Sequence, residues 1–136
     1  MNDAEYMRRA LELARHAQDE GEVPVGALVV LDNEVIGEGW NRPISANDPT
    51  AHAEIQAMRT ACAAIKNYRL TGATLYVTLE PCDMCVGAMF HARIARAVYG
   101  ATDPKKLVLK NQVKLESGVL GADCGQLLSA FFAAKR

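Results

Sequence analysis

At 136 residues the chain fits one compact domain, residues 1–136, and leaves no room for a second of ordinary size. Half of it is apolar and 23% is charged, which excludes a disordered or collagen-like chain; no apolar run approaches the roughly 18 residues that a bilayer crossing needs. The net charge of −1 carries no global nucleic-acid signature, so a nucleic-acid partner would need a local basic patch. The acidic start Met1-Asn2-Asp3-Ala4-Glu5 does not read as a secretory signal. Four cysteines without such a leader predict the reducing cytoplasm, where paired cysteines mean metal or catalysis more often than disulfides.

In chain order, residues 4–20 place Met7, Ala10, Leu11, Ala14 and Ala17 at helical spacing, and Gly21 stops that helix. Residues 25–31 and 34–40 are β-rich runs around Asp32-Asn33, the pattern of a hairpin. A polar loop is expected over 41–49. Asp48-Pro49 then reads as a cap and first turn opening a helix to about Lys66. A strand follows at 74–79, a helix from Glu80-Pro81 to about His91, and a strand at 94–99. Asp103-Pro104 repeats the start signal for a short helix over 104–110, before a last strand near 112–116 and a closing helix over 119–134. Strands alternating with helices predict an α/β domain with helices on a central sheet.

One constellation carries chemistry: His52-Ala53-Glu54, and farther on Pro81-Cys82-Asp83-Met84-Cys85. Cysteines three apart share a helix face, and a helix's first turn stabilises thiolates, the form that binds zinc. Cys62 lies ten residues beyond His52 on the same predicted helix, about 15 Å at about 1.5 Å per residue, too far to share the metal. Nothing around Cys124 suggests a ligand. Three ligands and an open position is the count of a catalytic zinc rather than a structural one. Glu54, two residues from a ligand, is placed to act as acid and base on a water at that open position. The competing reading of Cys82 and Cys85, as buried core thiols, has no use for the His-x-Glu pair.

His52-Ala53-Glu54 with Pro81-Cys82-x-x-Cys85 resembles the zinc-dependent nucleobase deaminases. Glu22-Val23-Pro24-Val25-Gly26, Gly39-Trp40-Asn41-Arg42-Pro43, Pro49-Thr50-Ala51-His52-Ala53-Glu54, Leu75-Tyr76-Val77-Thr78-Leu79-Glu80-Pro81-Cys82 and Gly87-Ala88-Met89-Phe90-His91-Ala92-Arg93-Ile94 are similar to the bacterial tRNA-specific adenosine deaminases within them. The likeness covers about 5–103 and returns over 116–132.

It implies a cytidine-deaminase-like three-layer α/β/α sandwich around a mixed sheet of about five strands, and one zinc ion per chain on His52, Cys82 and Cys85. The implied reaction is hydrolytic deamination of adenosine to inosine at the wobble position of a tRNA anticodon loop, with Glu54 as proton shuttle. It further implies that Asn41 and the Ala53 amide bond the base and that Val23 and Leu79 wall its pocket. Asp103 would approach the ribose 2′-hydroxyl, and the tRNA anticodon stem-loop and a second copy of the chain would be partners.

Family members carry a longer segment after the fourth strand than residues 101–111 provide. A parallel crossover to the last strand needs about a dozen residues. We expect it nonetheless, because Asp103-Pro104 starts a helix; an antiparallel last strand is the alternative. Asn41 also reads as a turn residue and Asp103 as a helix cap. Lys105, Lys106, Lys110 and Lys114 read more simply as a solvated face than as an RNA-facing patch. His16 and His91 are expected at the surface or just behind the site, and Trp40 as packing beside it. Two other functions fit the sequence: deamination of a free base or nucleoside (guanine, cytosine or cytidine) or of adenine in single-stranded DNA, and a zinc-stabilised RNA-binding module without turnover.

Overall fold

The computed structural model of the protein describes residues 1–103 and 113–135. The first helix, α1 (Asp3–Asp19), opens on a capping box: Asn2 Oδ1 accepts the Glu5 amide at 2.9 Å, and a Glu5 carboxylate oxygen accepts the Asn2 amide at 3.3 Å. Its apolar stripe, including Met7, Ala10, Leu11, Ala14 and Ala17, is buried. β1 (Gly26–Leu31) and β2 (Glu34–Trp40) form the expected hairpin. Asp32 (φ 51°) and Asn33 (φ 62°) both take the left-handed conformation that a two-residue turn matched to strand twist requires. A one-turn helix α2 (Pro43–Ala46) precedes α3 (Ala53–Ile65), β3 (Thr74–Leu79), α4 (Asp83–Ala92), β4 (Arg96–Ala101), β5 (Lys114–Glu116) and α5 (Gly121–Ala134).

The described strands form one sheet in the order β2-β1-β3-β4-β5. β1 runs antiparallel to both β2 and β3, whereas β3, β4 and β5 are parallel, the direction expected for the last strand. Alternate residues of β1 feed two cores. Ala27 and Val29 pack with Ala57, Met58 and Ala61 of α3 and Val86 and Met89 of α4. Leu28 and Val30 pack with Met7, Ala10 and Leu11 of α1 and Cys124 of α5. The sheet between two helical layers is the three-layer α/β/α sandwich that the motifs implied.

What seats α3 is the absence of a side chain at two positions of β2, Gly37 and Gly39. A Cβ at Gly37 or Gly39 would overlap the Ala57 backbone, so strand and helix touch main chain to main chain. Because α3 begins beside His52, this contact fixes the height of the site above the sheet.

Several boundaries differ from expectation. The segment expected as a plain loop contains α2. The helix expected from Pro49 begins at Ala53, because Asp48 Oδ1 accepts both the amide (2.9 Å) and the hydroxyl (2.7 Å) of Thr50 and ties that stretch into a turn. His52 (φ −70°, ψ 154°) is therefore an extended cap residue rather than a member of the first turn. Likewise Pro81 lies outside α4, and Cys82 is its extended cap. The expected helix over 104–110, Lys105, Lys106 and Lys110, and the start of the last strand lie outside the described residues. Lys114 is exposed, 4.0 Å from Glu116.

Candidate metal centre and active site

Two helix starts converge at one end of the sheet. His52, capping α3, and Cys82, capping α4, are both extended, and Cys85 sits in the first turn of α4, fully buried. His52 Nδ1 lies 3.6 Å from Cys82 Sγ and 3.6 Å from Cys85 Sγ, and the three ligand atoms are all within 4.8 Å of one another. A tetrahedral zinc ion, with bonds of about 2.3 Å to sulfur and about 2.05 Å to nitrogen, sets such atoms about 3.6 Å apart. The donor set and its spacing fit zinc, with one coordination position left over.

The two thiols share their protons unequally. A hydrogen bond from the Cys85 thiol, with further help from His52 and the Cys85 amide, outweighs burial and holds Cys82 far below the ordinary thiol range, at about 3. Cys85 is pushed far up by that same bond to Cys82, by burial and by the nearby charge of Glu54. A dication bound by both sulfurs must displace the proton held between them, so metal binding here releases a proton.

A cavity of about 160 Å³ opens beside these ligands, lined by Val23, Val25, Asn41, His52, Glu54, Leu79 and Glu80. It is smaller than the roughly 300–1,000 Å³ of sites for drug-sized ligands, which suits one planar base rather than a whole nucleotide. Glu54, 4% exposed, enters from the first turn of α3, and Ala53 is the first residue of that helix. Asn41 follows β2, its amide bonded to the Val25 carbonyl at 3.0 Å. Leu79 ends β3, and Val23 precedes β1. Asp103 is not among the lining residues; its amide donates to Glu80 Oε1 at 2.9 Å.

Sequence reasoning gave no role to Val25 and Glu80. Val25 belongs to the same extended entry to β1 as Val23, so alternation offered a signal. Glu80 was legible only as part of a helix start, because the carboxylate's position depends on β4 and on Asp103. Cys124 is buried and lies against Gly100. Cys62 and His91 line a larger apolar groove of about 370 Å³ on the outer face of α3 and α4, with Ile55, Met58, Tyr68 and Ala88. That groove gathers few polar groups and is separate from the ligands. The His16 and Trp40 rings meet at 4.1 Å, tilted by 47°, and Trp40 Nε1 donates to Glu20 at 2.9 Å, so Trp40 packs on the α1 side of the sheet and is not among the cavity's lining residues.

The family model described as the cytidine and deoxycytidylate deaminase zinc-binding region matches residues 1–101. The chain is 49% identical to a tRNA-specific adenosine deaminase of Haemophilus influenzae, over 98% of this chain and 85% of the relative. That match runs over 147 residues, so the relative carries residues this chain lacks. Identity to the tRNA-specific adenosine deaminase of Bacillus subtilis is 41%, over 98% and 91% of the two chains. A structure from a study of A-to-I editing by tRNA:A34 deaminases superposes with a TM-score of 0.87 at 43% identity, covering 91% of this chain and 99% of that one. A guanine deaminase from Bacillus subtilis superposes at 0.72 and 41% identity, covering 75% and 66%. The matched segment contains every residue of the His52–Glu54–Cys82–Cys85 cluster, and the chain belongs to the cytidine and deoxycytidylate deaminase zinc-binding family, among relatives that are tRNA-specific adenosine deaminases.

Proposed function

We propose that the protein hydrolytically deaminates adenosine to inosine at the wobble position of a tRNA anticodon loop. The observation that carries the chemistry is the pair of 3.6 Å separations from His52 Nδ1 to the two sulfurs, beside a base-sized cavity into which buried Glu54 projects. The substrate rests on the near-full-length likeness to tRNA-specific adenosine deaminases.

His52, Cys82 and Cys85 would hold one zinc ion, which would supply a water nucleophile at neutral pH by lowering that water's pKa toward about 7. Glu54 takes one proton from the water and places it on N1 of the base, then takes the remaining proton from the hydroxyl now on C6 and passes it to the departing amine, so that water and adenosine become ammonia and inosine. Asn41 and the Ala53 amide hydrogen-bond the extruded base, and Val23 and Leu79 close on its faces. Asp103, held through Glu80, meets the ribose 2′-hydroxyl outside the cavity.

The free cysteines suit the reducing cytoplasm, and no helix among the described residues is long and apolar enough to cross a membrane. A second copy of the chain covers the α3–α4 face, where Tyr68 is exposed at the edge of the apolar groove and α4 also exposes Met84 and Phe90. Sedimentation at micromolar concentration gives a dimer in this account; a monomer removes that partner. The function itself is tested by incubating zinc-loaded protein with an anticodon stem-loop and with free guanine, cytosine and cytidine. Inosine in the RNA is the expected product. Ammonia from a free base alone would move the enzyme to the small-molecule deaminases.

A further inference from the structure

We infer that Glu22 is a positioning residue for the deamination site, bracing its two loop walls against each other. This rests on the reading that Asn41 and Val23 contact the base. Glu22 is 1% exposed, just past the end of α1, and its carboxylate accepts the Ser45 amide at 2.6 Å, the Ser45 hydroxyl at 2.7 Å and the Ile44 amide at 3.3 Å.

Those donors are the unpaired amides at the start of α2: Pro43 has no N–H, and the amides of Ile44 and Ser45 both go to Glu22. A single turn is costly to nucleate, and its own cap residue, Arg42, supplies no side-chain hydrogen bond. The turn is thus held by a carboxylate from the other wall of the cavity. Val23 follows Glu22 directly, and Asn41 lies two residues before α2. The entry to α2 is also held by two main-chain bonds, Asn41 N–H to Val25 O at 3.0 Å and Arg42 N–H to Ala51 O at 2.9 Å, and by the Arg42 side chain, 3.7 Å from Glu20.

A buried carboxylate is tolerated only when its oxygens are bonded. Burial pushes the Glu22 carboxyl up, but the bonds from Ser45 and Ile44, with the Arg42 charge, outweigh it and keep its pKa low. Glu22→Gln retains one oxygen and turns an NH₂ group toward an amide, so it loosens the brace without removing it.

The test compares wild type, Glu22→Ala, Glu22→Gln, Asn41→Ala and Glu22→Ala/Asn41→Ala. It measures kcat/KM per bound zinc on the stem-loop, with amide hydrogen exchange at Ile44 and Ser45. Glu22→Ala is expected to lose about tenfold or more, Glu22→Gln to fall between, and the double variant to lie within about twofold of Asn41→Ala alone. Losses that multiply in the double variant, or full activity in Glu22→Ala, would overturn the inference. Should Glu22→Ala fail to fold, Glu22→Gln and its double variant with Asn41→Ala carry the comparison. If wild type makes no inosine, the substrate reading fails and exchange decides separately. Protection lost at Ile44 and Ser45 but kept in α1 and β1 upholds the brace, and protection unchanged there refutes it.

Discussion

Replacing Gly39 with alanine tests the link between fold and chemistry. The added Cβ would lie 2.6 Å from the Ala53 carbonyl oxygen and 2.7 Å from Gln56 Cβ, and it would overlap the Ala57 amide nitrogen. Ordinary contact needs about 3.4 Å or more, and two of these three neighbours are backbone, so α3 must lift from β2 by several tenths of an ångström to about 1 Å. Overpacking of this kind costs about 1–3 kcal/mol, or a fall in Tm of roughly 3–10 °C for a chain of this size. The lift falls on the first turn of α3, which carries Glu54 and follows His52. Misplacement near 1 Å costs on the order of 100-fold in rate. Gly37→Ala meets Ala57 and Ala61 farther along the helix and is expected to destabilise comparably while costing less activity. Circular-dichroism melts, zinc content after dialysis and inosine formation per bound zinc measure all three effects. A Gly39→Ala protein with wild-type Tm and rate would refute the argument that β2 and α3 meet backbone to backbone.

Glu54→Gln is expected to keep zinc while losing about 100- to 10,000-fold in turnover, as removal of a general acid–base does; metal analysis beside single-turnover inosine assays checks it. Chelation should lower Tm, expose Cys82 and Cys85 to thiol reagents and, on readdition of zinc to unbuffered protein, release protons, which a pH indicator reads. Arg96 bonds Asp3 at 2.6 Å and also bonds Glu116, and Tyr76 donates to Asp3 at 2.6 Å. The Arg96 hydrogen bond first, then Tyr76, holds Asp3 below its ordinary value, and Arg96 does the same for Glu116, with burial opposing in both. A carboxyl depressed on folding adds stability that is full above its unfolded pKa and is lost as pH falls through the folded one. The stability gap between wild type and Arg96→Met should therefore be flat above about pH 5 and shrink toward pH 3. With both carboxylates more than a third exposed, screening holds that gap to about 1 kcal/mol in 0.15 M salt, as denaturant titrations at stepped pH would show.

The hairpin, the α1 stripe and the alternation of helices with strands were legible because each has a local cause: the Asp32-Asn33 turn, the 3.6-residue period, and the bounded apolar runs. The grouping of His52, Cys82 and Cys85 was legible for a different reason, since a zinc site restricts residue types so sharply that His-x-Glu and Cys-x-x-Cys are informative without a structure. What escaped depends on partners distant in sequence. α2 exists because Glu22 caps it from across the cavity, and no window around 43–46 contains that carboxylate. Asp48-Pro49 imitates a helix start, but Thr50 consumes the Asp48 side chain in a turn and delays α3 to Ala53. Glu80 joins the cavity wall only once parallel pairing of β3 and β4 brings Asp103 beside it.

The most direct test of the central claim is inosine formation in an anticodon stem-loop by zinc-loaded wild type against Glu54→Ala, with zinc content measured in the same samples. Inosine at the wobble position with wild type alone, and equal zinc in both, is the expected result. Inosine made at a comparable rate by Glu54→Ala, or none made by fully loaded wild type, would contradict it.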